Sequence, residues 1–270
     1  MTSPRLVFLG AGNLASAIIR GLLEQKIYAP AEIACTSKNG LTARKLADDS
    51  GISFEPDLPR LLGPADIVIV AFKPQSLAGA DPRLADLTHG KLVVSLLAGK
   101  KVATLARTFP HARNLVRTMP NTPAAIGAGV TSYTTRDPLN ASDRTSLTLM
   151  LDALGTHLEV DETQLDALTA LGGSGPAFLF EYVAAMREAG IAAGLSADVA
   201  AKVALATALG AARLLARTGE SPEALRDKVA SPNGTTFAGL QVLAARHFRE
   251  TIKETVLTSA RRARELSKDE

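Results

Sequence analysis

A chain of 270 residues with 46% hydrophobic and 21% charged residues is long enough for one large domain or two ordinary ones, and too apolar to be disordered. Its net charge of +3 comes from scattered cations, its aromatic content is 4% and it has no tryptophan. That excludes the clustered basic patch and stacking platforms of a nucleic-acid-binding protein and suits a small anionic ligand. Cys35 is the single cysteine, which excludes an internal disulfide and a cysteine-built metal site and points to a reducing, cytoplasmic compartment. The four apolar residues Leu6–Leu9 ahead of Gly10 are too few for a signal-peptide core, and no apolar run approaches membrane-spanning length. The expectation is a soluble protein with no metal, nucleic-acid or membrane partner.

Up to about residue 160, short apolar runs alternate with helical stretches. Leu6–Leu9, Ile33–Cys35, Ile67–Ala71, Leu92–Leu96, Asn114–Val116 and Val130–Tyr133 read as strands. The strong runs are apolar on both faces, as in a parallel sheet covered by helices, and the pieces between them are long enough for crossover helices. This predicts an α/β, Rossmann-type doubly wound domain over 1–160. Over 161–270 the strands stop. Asp166–Leu171, Pro176–Ala193, Ala197–Arg217, Pro222–Lys228, Phe237–Arg246 and Phe248–Leu266 read as helices, with Asp198 and Ser221 near the expected N-caps. Val199–Leu215 is apolar almost all round, interrupted by Lys202, Thr207 and Arg213. A small helical domain cannot easily bury such a helix alone, so this half is expected to hold a subunit interface, with an ordinary bundle core as the alternative.

Gly10-Ala11-Gly12-Asn13-Leu14-Ala15 follows the first strand and opens a helix whose Leu14, Ile18 and Leu22 share one face. Gly10 permits the tight turn, Gly12 lets the backbone approach a pyrophosphate, and Ala15 keeps helix and strand close; the helix N-terminus favours the phosphates. The second strand ends in Cys35-Thr36-Ser37-Lys38-Asn39, with Glu32 at its start. An NAD site usually places an acid at this end. Hydroxyls and a lysine suit a 2′-phosphate instead, so Ser37 and Lys38 predict NADPH, with NADH less favoured.

Three further segments are rich in turn residues. Phe72-Lys73-Pro74-Gln75 closes the strand Ile67–Ala71, and Arg117-Thr118-Met119-Pro120-Asn121-Thr122-Pro123 follows the strand Asn114–Val116. Both stand at carboxyl ends of strands, where doubly wound folds bind ligands. Ser231-Pro232-Asn233-Gly234-Thr235-Thr236 precedes an apolar helix, and its N–H groups and hydroxyls form a cradle for a carboxylate.

These stretches, in this order and together with Gly173-Ser174-Gly175-Pro176-Ala177, resemble the pyrroline-5-carboxylate reductase family along nearly the whole chain. The resemblance implies a Rossmann-type N-terminal domain and a helical C-terminal domain through which two chains intertwine. It implies dimers that gather into larger rings, a decamer among them, and an active site where a nucleotide domain meets the dimer domain. The activity implied is hydride transfer from NADPH to the cyclic imine 1-pyrroline-5-carboxylate, giving L-proline, the last step of proline biosynthesis. Ser231, Gly234, Thr235 and Thr236 match the substrate loop, Thr236 at the position that hydrogen-bonds the ring nitrogen. Gly10, Ala11, Gly12, Asn13 and Leu14 match the glycine motif, and Ala71, Lys73, Pro74 and Asn121 match positions lining the cofactor. Asn233 stands where the family has glycine; asparagine tolerates left-handed backbone, so the turn is expected to persist. Leu14 replaces a methionine, and Asp57 is the nearest residue to an adenosine-contacting asparagine without matching it.

A protonated cyclic imine accepts hydride without a strong acid, so positioning is the protein's main task, and His89, His111, His157 and His247 stand apart from the motifs. Reduction of a related cyclic imine acid is an alternative. A β-hydroxyacid dehydrogenase is another, but it needs a lysine where this chain has Leu179, and leucine cannot accept a proton. A nucleotide-sensing assembly protein is a third, with the intact substrate loop against it.

Overall fold

A computed structural model describes residues 5–267. They fall into two compact units, one holding the chain up to Gly173 together with the segment from Ser259 onward, the other Ser174–Thr258. In the first, β1 (Leu6–Leu9), β2 (Ile33–Thr36), β3 (Ser53–Phe54), β4 (Ile67–Val70), β5 (Leu92–Ser95), β6 (Asn114–Pro120), β7 (Gly129–Thr135) and β8 (Gly155–Glu159) make one sheet. The strand order is β3-β2-β1-β4-β5-β6-β7-β8. The helices of this unit are α1 (Asn13–Glu24), α2 (Leu41–Ser50), α3 (Leu58–Leu62), α4 (Leu84–Leu87), α5 (Val102–Thr108), α6 (Ala141–Asp152) and α7 (Leu165–Leu168). The order runs outward in both directions from β1 and β4, the doubly wound arrangement with its switch point between those two strands.

Alternation along the central strands explains why they read as continuous apolar runs. Leu6 and Phe8 of β1, Ile67 and Ile69 of β4 and Leu92 and Val94 of β5 enter one core with Ile18, Ile19 and Leu22 of α1 and Leu147 and Leu151 of α6. Val7, Leu9, Val68, Val70 and Val93 enter the other with Leu61 and Leu62 of α3 and Leu105 of α5. Each such side chain, fully buried, contributes roughly 1.5–3 kcal/mol.

The sheet departs from the sequence reading at its edge. β6 and β7 pair antiparallel, Val116 opposite Thr135 and Pro120 opposite Thr131. Arg117–Pro120, expected as a loop, therefore belongs to β6. The residue types explain this: Arg117 is buried and ion-paired to Glu162 at 2.8 Å, and the Thr118 hydroxyl donates to the Ser95 carbonyl at 2.9 Å. β3 and β8 lack an apolar run; β8 is a largely exposed edge strand. After α7 the chain continues as a π-helical turn, Thr169–Gly173, in place of the single helix expected over 166–171.

The second unit contains α8 (Gly175–Ala192), α9 (Ala197–Thr218), α10 (Pro222–Val229), α11 (Thr235–Ala245) and the start of α12 (Phe248–Leu266). Ser196, not Asp198, is the N-cap of α9, its hydroxyl accepting the Val199 N–H; Ser221 caps α10 as expected. In α9 only Ala200 and Ala204 are buried, whereas Leu205 and Leu209 are 61% and 47% exposed. By length and composition α9 is apolar enough to cross a membrane; a reading of uninterrupted runs missed this because Lys202 and Arg213 break the stretch. A helix that must pack against another chain satisfies the same measure.

At the amino ends of the strands Arg113 is an electrostatic hub. Its Nε donates to both Asp143 carboxylate oxygens at 3.1 and 3.0 Å, and its Nη1 donates to Asp66 at 2.8 Å and to the Gly90 carbonyl at 2.9 Å. Those contacts, led by the Asp143 hydrogen bond, hold the guanidinium protonated well above its ordinary range. Asp143 is buried, and its own N–H is capped by Asn140. Asp143→Ala leaves a half-buried cation short of its main partner and is expected to cost roughly 2–4 kcal/mol. A chemical-denaturation midpoint checks this, and an unchanged midpoint would show that solvent replaces the pair.

Candidate active site

Gly10 follows β1 with φ of +121°, and a Cβ there would collide with the Ala71 carbonyl group and lie 2.6 Å from the Phe72 nitrogen. Glycine is required at position 10 because the ends of β1 and β4 meet there. Gly12 differs: its φ is −81°, and a Cβ would meet nothing within 4 Å. It is the N-cap of α1, with no side-chain cap and no acid in the first turn. The first N–H groups of a well-buried helix are thus presented at the switch point, with open space where a side chain would stand. A dinucleotide pyrophosphate fits that cradle. Ala11 and Ala15 are buried, Asn13 is exposed and Leu14 packs against the core.

At the end of β2 the Ser37 hydroxyl accepts the Ala43 N–H at 3.2 Å, and Lys38 is exposed. Cys35 lies wholly in the core, where burial pushes its thiol up to about 11, so it is not a nucleophile. The sequence reading did not single out Arg44, whose guanidinium lies 5.0 Å from the centroid of the Phe54 ring. Asp57 is accounted for differently: its carboxylate accepts the Arg60 N–H and caps α3.

At the end of β4, Ala71 donates its N–H to the Leu9 carbonyl, and Lys73 is exposed ahead of a short 3₁₀ turn begun by Pro74. Asn121, directly after β6, bonds through both ends of its amide. Its Oδ1 accepts the Val130 N–H at 2.9 Å and its Nδ2 donates to the Gly172 carbonyl at 3.0 Å. Its side chain thereby joins β7 to the π-helical turn.

In the second unit Ser231–Gly234 is a turn closed by the Gly234 N–H donating to the Ser231 carbonyl at 3.0 Å. Asn233 adopts φ of +59°, the left-handed conformation expected of it. A Cβ on Gly234 would collide with the Ser231 hydroxyl. α11 begins at Thr235, so Thr235 and Thr236 lie in its first turn rather than in the loop that the sequence reading drew. Its N-cap is Gly234, with no side-chain cap; Thr236 is therefore not the capping residue. The Gly234 N–H, expected to face a carboxylate, is spent on the turn, which leaves those of Thr235, Thr236 and Phe237 in the open first turn. A cavity of 810 Å³ between α10, α11 and α12 touches Asn233 and Phe237 but not Thr236.

Residues 162–266 match the family model described as pyrroline-5-carboxylate reductase dimerisation, and residues 5–99 match one described as NADP oxidoreductase coenzyme F420-dependent. A pyrroline-5-carboxylate reductase of Synechocystis sp. is 37% identical over 98% of this chain and 99% of its own length. The chain belongs to the pyrroline-5-carboxylate reductase family. An Arabidopsis thaliana pyrroline-5-carboxylate reductase is 35% identical over 96% of this chain and 94% of its own length. The solved pyrroline-5-carboxylate reductase of Coxiella burnetii superposes with a TM-score of 0.91 at 31% identity, covering 99% of this chain and 100% of that one. A Plasmodium falciparum pyrroline carboxylate reductase with NADP bound has a TM-score of 0.86 at 23% identity, with 99% of each chain covered, and shares the fold. As a pyrroline-5-carboxylate reductase family member the chain self-associates, and the matched dimerisation segment contains the exposed apolar helices.

The two glycines of the first turn make opposite predictions. Gly10→Ala is expected to destabilise the protein without ligand, because backbone atoms of β4 must move. Gly12→Ala is expected to leave the apoprotein melting temperature unchanged while weakening NADPH binding by about tenfold or more, since its methyl occupies the phosphate approach. Differential scanning fluorimetry and a fluorescence titration separate the two, and tight NADPH binding by Gly12→Ala would remove α1 from the cofactor site.

Proposed function

We propose that this protein reduces 1-pyrroline-5-carboxylate to L-proline with NADPH, the last step of proline biosynthesis. The single observation carrying this reading is the Ser231–Thr236 turn, which delivers an uncapped helix terminus and the Thr236 hydroxyl together in a member of the family. When bound, NADPH supplies the hydride that adds to the imine carbon. Gly10, Ala11, Gly12, Asn13 and Leu14 hold the pyrophosphate, Ser37 and Lys38 face the 2′-phosphate, and Ala71, Lys73, Pro74 and Asn121 line the cofactor. Asn121 also fixes the backbone there, its amide bonded to Val130 and Gly172. A single, buried cysteine and the absence of any catalytic thiol fit a cytoplasmic enzyme.

Ser231 and Gly234 fix the turn, and the open N–H groups of Thr235 and Thr236 take the substrate carboxylate, aided by the helix dipole. The Thr236 hydroxyl hydrogen-bonds the ring nitrogen as it becomes an amine. The imine is basic enough to be partly protonated near neutral pH, so this site needs no histidine. NADPH oxidation with pyrroline-5-carboxylate, compared with a six-membered imine acid and with NADH, tests substrate and cofactor together; equal kcat/KM for both nucleotides would reject the 2′-phosphate assignment. Thr236→Ala is expected to lower kcat about 10–100-fold, equivalent to roughly 1.5–3 kcal/mol for one hydrogen bond to a charged group. Thr236→Ser retains much of the activity, and neither variant changes the melting temperature. A near-normal kcat/KM in Thr236→Ala would remove this hydroxyl from the mechanism.

The assembly we infer is a dimer through α8–α12, from which larger rings can grow. Light scattering at micromolar concentration is expected to give a dimer mass or a multiple of it, and a monomer mass would refute the interface. Leu209→Glu, on the exposed apolar side of α9, is expected to give monomer or aggregate.

A further inference from the structure

The β2–α2 connection holds a cation that the cofactor assignment above does not use. Residues 33–47 contain Lys38, Arg44 and Lys45 and no carboxylate. Arg44 lies in the first turn of α2, where its N–H bonds the Gly40 carbonyl at 2.9 Å. Its guanidinium stacks over Phe54, at the end of the adjoining strand β3, 5.0 Å from the ring centroid. Phe54 also underlies the loop: a Cβ on Gly40 would lie 3.2 Å from its Cζ. Asp48 stands one helical turn after Arg44 on α2, and no ion pair joins the two. Three other acids have partners of their own. Glu32 accepts the Ala29 N–H, Glu55 accepts the Asp57 N–H and Asp57 accepts the Arg60 N–H. Among the described residues no ion pair engages Lys38 or Arg44. Beside them the Ser37 hydroxyl, whose oxygen accepts the Ala43 N–H, keeps its own proton to donate.

We propose that Arg44, packed over Phe54, is the principal determinant of selectivity for the 2′-phosphate of NADPH, with Ser37 and Lys38 as its neighbours. This rests on the NADPH-dependent reading of the first unit and names the residue that enforces it. A guanidinium presents paired donors to two phosphate oxygens, whereas a lysine offers a mobile point charge. Arginine beside the end of the second strand is the usual way a doubly wound fold accommodates this phosphate. Stacking on the ring restricts the guanidinium before the ligand arrives, so less freedom is lost on binding. Phe54 is a positioning residue: it touches Arg44 rather than the phosphate.

The test is calorimetric titration of the full-length protein with 2′,5′-ADP and with 5′-ADP, in parallel with kcat/KM for NADPH and NADH. Wild type is expected to bind 2′,5′-ADP the more tightly. Arg44→Ala weakens 2′,5′-ADP by about 10–100-fold and leaves 5′-ADP within about twofold, which also shows that the variant is folded. Arg44→Lys recovers part of the loss, Lys38→Ala loses less than Arg44→Ala, and Phe54→Leu weakens 2′,5′-ADP while raising KM for NADPH without lowering kcat. If wild type prefers 2′,5′-ADP and Arg44→Ala preserves that preference, or weakens both nucleotides equally, the assignment of Arg44 is overturned and the NADPH reading stands. If wild type shows no preference between the two, both fall.

Discussion

The carboxyl ends of β1 and β4 approach so closely at Gly10 that a Cβ on it would collide with the Ala71 carbonyl group. The cofactor half of the site depends on that approach. It turns the chain sharply out of β1, starts α1 three residues later and aims the helix's open N–H groups over the switch point of the sheet. Two-sided burial of β1 and β4 fixes the height at which the strands end, and Ile18, Ile19 and Leu22 hold α1 down against one face. Far from this end, at the amino ends of the strands, Arg113 ties β4, the turn at Gly90 and α6 together. The Arg113 ion pairs and the Gly10 approach therefore lie at opposite ends of the same strands, one at the amino ends and one at the carboxyl ends.

The second unit inverts the usual arrangement of a helical domain. Its buried residues in α9 are alanines, while Leu179, Phe180, Leu205, Leu209, Val242 and Leu243 are exposed. A single chain cannot retain so many large apolar side chains in water without association. Small residues at Ala200, Ala204 and Gly190 let α8 and α9 approach closely, a Cβ on Gly190 lying 3.0 Å from the Ala200 Cβ. The large residues are left for a partner. Family membership supplies that partner as a second copy, and the proposed substrate turn at 231–236 lies within this same unit. On that proposal, association and the substrate turn share one set of helices.

Legibility in the sequence followed burial. β1, β4 and β5 were readable because both faces are covered and the runs are wholly apolar; α1 was readable from its 3.6-residue periodicity. β8 was not, because Gly-Thr-His-Leu-Glu is an exposed edge whose pairing comes from its neighbour β7. The reversal of β7 could not be read either, since strand direction is a property of the connection and leaves no local pattern. Arg117–Pro120 looked like a loop on account of its polar residues and proline, yet Arg117 and Thr118 are polar groups buried with partners at long sequence separation. The motifs themselves were legible because they are short and their backbone conformations demand particular residues: glycine at 10, a left-handed residue at 233. What was missed at the site came from elsewhere in the chain. Arg44 acquires its neighbour only when β2 and β3 pair, and the Gly234 N–H could be seen as spent only once the turn had closed.

The helix termini give the two ligand ends a common logic. α6, α9 and α10 begin with Asn140, Ser196 and Ser221, each accepting a first-turn N–H with its own side chain. α1 and α11 begin with Gly12 and Gly234, which have no side chain to offer, and neither carries an acid in its first turn. Open N–H groups at a helix start cost stability unless something else satisfies them, and an anion does so with help from the dipole. On the function proposed above, the reactants would supply one for each: a pyrophosphate for α1 and a carboxylate for α11. On that reading the imine carbon is already electrophilic once its nitrogen is protonated, and the proposed role of the Thr236 hydroxyl is to hold that nitrogen as its geometry changes. That reading assigns no proton transfer to a histidine, and His157, for one, contacts Asp152 at 3.2 Å.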